Sequence, residues 1–339
     1  MRRILSTLIA VLCLASATNA AIIPDMKFRR LDTRDGLSSS QVNSVFKDSR
    51  GFMWIGTPYG LNRYDGYRIK TFYANTQDTT SMRDNYVDRI YEAYDGRLWT
   101  KQGMNYCIYD PTTESFVRNV APELAEMGIK GSVDYIYIDG HKNFWVKIAD
   151  VGIYYYNPNS KRLHLFVSGY GPGEINPTYG IASMADLGSS VILATNNGEM
   201  VCLNGEKGWI SWQNKWMKRN GGPENQEYWL RIDNKGNLYC RALDNTFIYL
   251  QHEHRWYKNV QELMRAYNVE NIPDHKLAVW DVLADRKGRI WAATDHDGLF
   301  VIDLKEKQLR QFQYNKYDQN SLSDNTVRTS IWITPVVCR

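Results

Sequence analysis

Cysteine is scarce in this sequence of 339 residues, and no two cysteines form a C-x-x-C pair. The five cysteines are Cys13, Cys107, Cys202, Cys240 and Cys338. A small domain held together by disulfides needs a denser set, and a zinc site needs ligands at close spacing. The sequence therefore argues against a disulfide framework and against zinc. It predicts instead that the cysteines in strand-like segments are buried free thiols.

The sequence also lacks a strong charge bias and, beyond its N-terminal region, a long apolar run. A formal net charge of +4 is too small a surplus to indicate a nucleic-acid partner. With 43% hydrophobic and 23% charged residues, the composition excludes wholesale disorder. No G-x-S-x-G, phosphate-binding loop or H-E-x-x-H motif is present, so the sequence does not indicate the enzyme classes that use them.

The N-terminal residues have the pattern of a secretory signal peptide. Arg2 and Arg3 precede a mostly apolar segment from Ile4 to Ala17, and small residues follow this segment. The two candidate cleavage positions are Ala17 and Ala20. The segment is shorter than the roughly 20 residues that span a bilayer, which disfavours a membrane anchor. We therefore predict a periplasmic protein. The predicted divisions are a signal peptide over 1–20, a folded domain over 24–334 and a tail over 335–339.

Aromatic residues are abundant, with 23 Tyr and 11 Trp, and several recur at a regular interval. One mostly aromatic position, the landmark position, repeats about every 46 residues. Its members are Trp54, Trp99, Trp145, Leu193, Tyr239 and Trp291. In the first unit, Asp48 and Gly51 form a predicted turn before the landmark, and Gly60 marks a second turn after it.

Each repeat unit predicts four short strands, with the landmark on the second. Four-stranded units at this period are the signature of β-propeller blades, which cover each other's faces around an axis. We therefore predict an all-β fold, a propeller of six complete blades plus an incomplete seventh. The seventh would combine an outer strand near residues 27–31 with an opening strand within residues 325–334. The landmark side chains are predicted to pack between blades.

The first repeat unit carries the most complete residue string. It contains Leu37-Ser38, Asp48, Gly51, Trp54-Ile55-Gly56-Thr57 and Gly60-Leu61. This string closely resembles the two-component regulator propeller repeat, and further copies cover most of residues 28–334. The resemblance implies the periplasmic sensor region of a hybrid two-component system of the Bacteroides type, here its N-terminal propeller. Such sensors resemble two propellers followed by a β-sandwich, a membrane helix and a histidine kinase.

The resemblance implies a function in sensing, with oligosaccharides as the typical cue. We expect an oligosaccharide or other small ligand, and we expect no cofactor, no metal, no nucleic acid and no catalytic residue. A homodimer is left open. The membrane helix and the kinase would lie in segments that this sequence does not contain. Membrane contact is therefore expected only through those segments, and this chain alone is not expected to be an enzyme.

The turns between the second and third strands are the predicted ligand site. They repeat with the blades, so their polar and aromatic side chains should form a ring on one face of the propeller. The predicted ring consists of Tyr59, Lys101, Gln102, Asp150, Asn196, Asn197, Asp295, His296 and Asp297. The alternative is that these are ordinary solvated turn residues.

Other assignments compete with this interpretation. A propeller enzyme acting on glycans, sialidase-like or lyase-like, is one, although the spacing of Asp48 and Gly51 does not fit a sialidase Asp-box. A non-catalytic interaction scaffold would share every blade signal. Three tryptophans, at positions 209, 212 and 216, are a candidate stacking platform or an ordinary packed strand. His252 and His254 form a candidate metal pair that lacks a third ligand nearby in sequence.

Overall fold

The computed structural model describes residues 23–169, 176, 179–212, 217, 219, 221–223 and 226–327. Within this part of the chain, 24 strands form six four-stranded antiparallel sheets, each built from consecutive strands. The prediction of six complete propeller blades is therefore confirmed. The predicted signal peptide, and the predicted opening strand beyond residue 327, lie outside the described residues.

The first three blades cover the N-terminal half of the propeller. Blade 1 contains β1 (Ser44–Lys47), β2 (Met53–Thr57), β3 (Gly60–Tyr64) and β4 (Ile69–Phe72). Blade 2 contains β5 (Val87–Glu92), β6 (Leu98–Gln102), β7 (Asn105–Asp110) and β8 (Ser115–Val117). Blade 3 contains β9 (Val133–Ile138), β10 (Phe144–Ile148), β11 (Gly152–Asn157) and β12 (Arg162–Val167).

The remaining three blades follow the same order. Blade 4 contains β13 (Ile181–Leu187), β14 (Ser190–Thr195), β15 (Met200–Asn204) and β16 (Trp209–Trp212). Blade 5 contains β17 (Trp229–Ile232), β18 (Leu238–Ala242), β19 (Asn245–Leu250) and β20 (Arg255–Tyr257). Blade 6 contains β21 (Val279–Ala284), β22 (Ile290–Thr294), β23 (Leu299–Asp303) and β24 (Gln308–Phe312).

Among the described residues, two short helices with defined bounds lie between blades. Helix α1 (Ala121–Glu126) precedes blade 3, and helix α2 (Val260–Ala266) precedes blade 6. Asn259 caps α2, because its side-chain oxygen accepts the backbone N–H of Glu262 over 2.8 Å. Apolar side chains of both helices join the clusters between neighbouring blades.

The Asp–Gly turn of blade 1 shows why the repeat keeps these residues. Asp48 accepts the backbone N–H groups of Arg50 and Phe52 over 3.1 and 2.9 Å, which satisfies donors that the turn leaves without a strand partner. Gly51 has a φ of 96°, in the left-handed region that L side chains rarely adopt. The turn leads into β2, and the landmark Trp54 on this strand is buried in the core.

The landmark residues lie in apolar clusters between the blades, as predicted. Five clusters join blades 1 and 2, 2 and 3, 3 and 4, 4 and 5, and 5 and 6. Trp54, Trp99 and Trp145 are fully buried in three of these clusters. A sixth cluster covers the far side of blade 6, and there Ile23 and Phe28 supply the packing residues.

The segment 27–31 repeats the position of an outer strand, although no strand is assigned to it. The backbone N–H of Phe28 donates to the carbonyl of Asn320 over 2.7 Å. In blade 2, the N–H of Phe116 on β8 donates to the carbonyl of Thr80 over the same distance. Phe28 therefore has the same relation to the loop that follows blade 6 as Phe116 of β8 has to the loop that follows blade 1.

The cysteines in strands are buried free thiols, which confirms that prediction for the described residues. These are Cys107, Cys202 and Cys240. Burial raises the pKa of all three, to about 11 for Cys202. The neutral thiol therefore predominates near neutral pH, and these side chains act as packing groups.

Candidate ligand-binding site

The first strands of all six blades line one central cavity of about 670 Å³. These are β1, β5, β9, β13, β17 and β21. Each contributes at least one side chain, from Ser44 on β1 to Asp281 on β21. The volume falls within the range of roughly 300–1,000 Å³ that small-molecule sites occupy.

Trp229 presents an aromatic surface to the cavity, with 41% of the residue exposed. The guanidinium carbon of Arg241 lies 5.5 Å from the centre of its ring, and that of Arg89 lies 5.8 Å away. Trp280 of blade 6 lies 5.2 Å from the same Arg241 carbon. Two indole rings from neighbouring blades therefore hold Arg241 by cation–π contacts.

The three arginines of the cavity differ in their partners. Arg89 donates to the hydroxyl of Tyr135 over 2.7 Å and to a backbone carbonyl over 3.1 Å. Arg231 forms an ion pair with Asp281 over 3.3 Å. Within the described residues, the guanidinium of Arg241 has neither a hydrogen bond nor an ion pair. Burial lowers the pKa of its guanidinium, as expected for a cation that has lost water without gaining a carboxylate partner.

Three buried polar atoms of the cavity residues have no hydrogen-bond partner among the described residues. They are Ser44 Oγ, Arg89 Nε and Thr246 Oγ1. Buried polar atoms are nearly always satisfied by protein or by ordered water. All three atoms are shielded from solvent, and Arg89 Nε also lies 3.6 Å from a carboxylate oxygen of Asp88, so these atoms belong to the packed wall behind the cavity surface.

The carboxylates of the wall already have donors. Asp88 pairs with Lys101 over 2.9 Å. Asp186 accepts the hydroxyl of Tyr137 over 2.6 Å and the backbone N–H of Gly140 over 2.8 Å. Burial raises the pKa of Asp186, because the charged form has lost water. With Asp281 held by an arginine, the wall presents satisfied carboxylates beside an unsatisfied guanidinium.

A second cavity of about 480 Å³ adjoins the first and shares Trp229, Arg241 and Trp280 with it. Its lining adds three carboxylates, those of Glu227, Asp244 and Asp295. Arg241 therefore lies at the junction of two cavities. The central one is lined by three arginines and three aspartates, and the second one adds three further carboxylates.

Asp295 is the member of the predicted ring that lines a cavity, the second one. Lys101 lies outside both linings and reaches the central cavity through its ion pair with Asp88. Gln102 is fully buried, and its side-chain oxygen accepts the backbone N–H of Arg83 over 2.9 Å. Gln102 therefore fixes the loop before β5.

The other six ring residues also lie outside the linings of the two cavities. Tyr59 is exposed, and Asp150 occupies a turn with a φ of 58°. Asn196 donates its backbone N–H to Gly180, and the neighbouring Asn197 side chain accepts the hydroxyl of Thr195. Asp297 contacts His275 over 3.0 Å, and the adjacent His296 is exposed. Ligand binding by this ring stays a prediction.

The turn-based prediction missed the side chains of the first strands, although the sequence carries a signal for them. The position ten residues before each landmark is occupied by Ser44, Arg89, Tyr135, Ser183, Trp229 and Asp281. All but Tyr135 line the central cavity, and Tyr135 bonds to Arg89. A repeated position that is polar or aromatic within an otherwise apolar strand would have indicated the site.

The other candidates stand apart from the cavities. Trp209 is 40% exposed on the outer strand β16, while the side chains of Trp212 and Trp216 lie outside the described residues. His252 and His254 lie in the turn before β20. Among the described residues, no group of three or more His, Cys, Asp or Glu side chains is arranged to hold a metal ion.

Residues 36–59 match the family model described as two component regulator propeller. This chain carries a two-component regulator propeller repeat. A stretch of 55 residues is 40% identical to Histidine kinase P4 of Formosa agariphila, and it covers 16% of this chain and 4% of that relative. Sequence comparison thus places the repeat in blade 1, where the residue string is most complete.

Solved structures share the fold over nearly the whole chain. The extracellular domain of the putative hybrid two component system BT3049 from B. thetaiotaomicron matches 90% of this chain with a TM-score of 0.61 and 19% identity. The extracellular domain of BT4673 from the same organism matches 90% with a TM-score of 0.60 and 19% identity. PorZ, a surface component of the type-IX secretion system of Porphyromonas gingivalis, matches 89% with a TM-score of 0.58 and 15% identity.

The chain spans only part of these proteins: 39% of the BT3049 chain, 37% of the BT4673 chain and 44% of PorZ. At such identities the likeness establishes the propeller fold, which serves extracellular domains of putative hybrid two component systems and a secretion-system component. No helix among the described residues is long and apolar enough to cross a membrane.

Proposed function

We propose that this chain is the extracytoplasmic ligand-sensing propeller of a hybrid two-component sensor, and that its central cavity binds an oligosaccharide. The repeat in residues 36–59 and the fold shared with extracellular domains of two putative hybrid two component systems support the sensor role. The signal-peptide pattern at the N-terminus supports a periplasmic location. One observation carries the ligand: an exposed indole, that of Trp229, lies on the same cavity as three arginines and three aspartates.

A sugar fits this combination chemically. Its ring face stacks on an aromatic side chain, while its hydroxyl groups both donate and accept hydrogen bonds. The arginines of the cavity supply N–H donors, and its aspartates supply acceptors. A purely apolar ligand would remove water from these charged groups without replacing the lost hydrogen bonds, and it would lose affinity for that reason.

The location of the cavity also suits sensing. Because the first strand of every blade contributes to its wall, a ligand at the axis can contact all six blades at once. Binding there would stabilise one arrangement of the blades, and a ligand acts on a conformational equilibrium through such differential contacts.

Calorimetric titration of the purified chain with neutral and acidic oligosaccharides tests the proposal. Wild-type protein should bind at least one class, and Trp229→Ala should weaken that binding by about tenfold or more, since it removes the stacking surface. Trp209→Ala is the matched control, because Trp209 is similarly exposed but lies on an outer strand. Its affinity should equal that of the wild type.

Four results would contradict the proposal or a part of it. Absence of binding by every oligosaccharide would remove the ligand assignment, and equal losses in the two tryptophan variants would remove the cavity assignment. Turnover of chromogenic glycosides would favour a propeller enzyme instead. Fractionation of cells that express the full chain tests the location, and retention of the protein in the cytoplasm would contradict the periplasmic assignment.

A further inference from the structure

Arg241 is the cation of the central cavity that the described residues leave unsatisfied. It lies on β18 directly opposite Trp229 of β17 in the antiparallel register, and Trp280 of the next blade contacts it from β21. The indole contacts restrain the guanidinium without using its N–H donors. Arg241 therefore combines a restrained position with free hydrogen-bonding capacity.

The neighbouring charges do not neutralise Arg241 directly. Asp281, a wall carboxylate whose charge acts on Arg241, is held by Arg231 over 3.3 Å. Asp186 and Asp88 have their own donors, as described above. In the second cavity, Lys276 pairs with Asp244 over 2.6 Å, and the hydroxyl of Thr326 donates to Asp295 over 3.2 Å.

Glu227 is the remaining carboxylate of the second cavity, and it is exposed to solvent. Water therefore screens its charge at the mouth. The carboxylates of the second cavity would repel an anionic group placed among them, so the favourable place for a negative charge is the central cavity, beside Arg241 and near Arg231 and Arg89.

We propose that the sensed oligosaccharide is acidic and that Arg241 binds its negatively charged group. This inference rests on the proposed function of the same cavity. A guanidinium forms paired N–H···O bonds with a carboxylate or a sulfate, and such charge-assisted bonds are stronger than neutral ones. A uronic acid and a sulfate ester are the two sources of that chemistry. The neutral part of the sugar would then stack on Trp229.

The experiment compares three classes of trisaccharide by calorimetry at fixed ionic strength: uronic-acid trisaccharides, sulfated trisaccharides and neutral trisaccharides. Wild-type protein should bind at least one acidic class about tenfold or more tightly than the neutral class. Arg241→Met should remove that preference, because methionine keeps the packing between the indoles and loses the charge. Raising the salt concentration should weaken acidic binding to the wild type more than to the variant.

Arg255→Met is the matched control. Arg255 lies on the outer strand of the same blade and also contacts an aromatic ring, that of Tyr257, with its guanidinium carbon 4.9 Å from the ring centre. Its variant should keep the wild-type affinity and preference. Near-identical melting temperatures of the two variants would show that any loss in Arg241→Met is local.

The outcomes separate the two proposals. Acidic binding that Arg241→Met does not weaken overturns the inference, as does binding of neutral trisaccharides at equal or higher affinity. In both cases the proposed function stands if Trp229→Ala still weakens binding by about tenfold or more. Absence of binding by all three classes overturns the inference together with the oligosaccharide assignment. The acidic class that binds identifies the source of the charge.

Discussion

The indole N–H of Trp54 donates a hydrogen bond to the carboxylate of Asp48 over 2.9 Å, and both side chains are buried. Other blades repeat the pair at the same spacing of six residues. The equivalents are Trp145 with Asp139 over 3.0 Å, Tyr239 with Asp233 over 3.1 Å and Trp291 with Asp285 over 3.1 Å. The turn aspartate of one strand thus satisfies the only polar atom of the landmark side chain.

Blade 2 breaks this pattern. Ala93 stands where the aspartate is found in blades 1, 3, 5 and 6, and the buried Nε1 of Trp99 has no hydrogen-bond partner among the described residues. We expect Ala93→Asp to raise the free energy of unfolding by about 1 kcal/mol, because it provides the missing acceptor. Urea unfolding measures the change. The same substitution in a Trp99→Phe background is the control, and a gain that persists there would show that the indole N–H is not its cause.

Two arginines tie equivalent loops to the propeller. Arg118 donates to the carbonyls of Asn75, Asp78 and Met82 over 2.6–3.0 Å. Arg30 makes fewer and longer bonds to the equivalent loop, including 2.8 Å to the carbonyl of Leu322. We expect Arg118→Lys to lower the free energy of unfolding by about 1–3 kcal/mol, since an ammonium cannot fork to several carbonyls.

Arg30→Lys should cost less than Arg118→Lys, because it removes fewer short bonds. Urea unfolding of both variants provides the comparison. An equal or larger effect at Arg30 would show that the number and length of these bonds do not decide the stability of the loops.

Glu92 links three successive blades. It accepts the hydroxyl of Ser49 in blade 1 over 2.7 Å and the ammonium of Lys142 in blade 3 over 2.8 Å. Burial acts to raise the pKa of Glu92, but the hydrogen bonds from Lys142 and Ser49 lower it overall. We expect Glu92→Gln to lower the free energy of unfolding by about 1–3 kcal/mol at pH 7.

The pH dependence of that difference has a definite sign. Because the folded-state pKa of Glu92 is lowered, its contribution is complete above the usual glutamate pKa of 4.5 and is lost as the pH falls through the folded value. The stabilities of wild type and Glu92→Gln should therefore converge in acid. A constant difference between pH 7 and pH 3 would contradict the assigned ion pair.

The buried thiols should be unreactive in the folded protein. Burial raises the pKa of Cys202 to about 11, and it also raises the pKa of Cys107 and Cys240, so little reactive thiolate forms near pH 8. Iodoacetamide followed by peptide mass spectrometry should label these cysteines only after unfolding in urea. Rapid labelling of any of them in the native protein would contradict its burial.

Much of the fold could be predicted from the sequence, because every blade is built from residues that are close together in the chain and that recur from blade to blade. The turn at Asp48 and Gly51 and the landmark Trp54 lie within a few residues of each other, and each blade needs the same elements. The buried thiols and the packing role of the landmark followed from the same pattern. The place of Phe28 beside blade 6 could be anticipated as well, since the segment 27–31 resembles an outer strand.

The cavity depended on tertiary structure. Sequence periodicity indicates which residues are equivalent, but it does not tell which of the equivalent positions meet at the axis. The ring predicted in the turns drew attention to Asp295, whereas the first strands supply the central wall. Arg241, Trp229 and Trp280 come together because antiparallel pairing aligns the first two and blade packing brings the third. The sequence by itself determined the repeated blade through local contacts, and only the assembled propeller decided which polar side chains were left without partners at its centre.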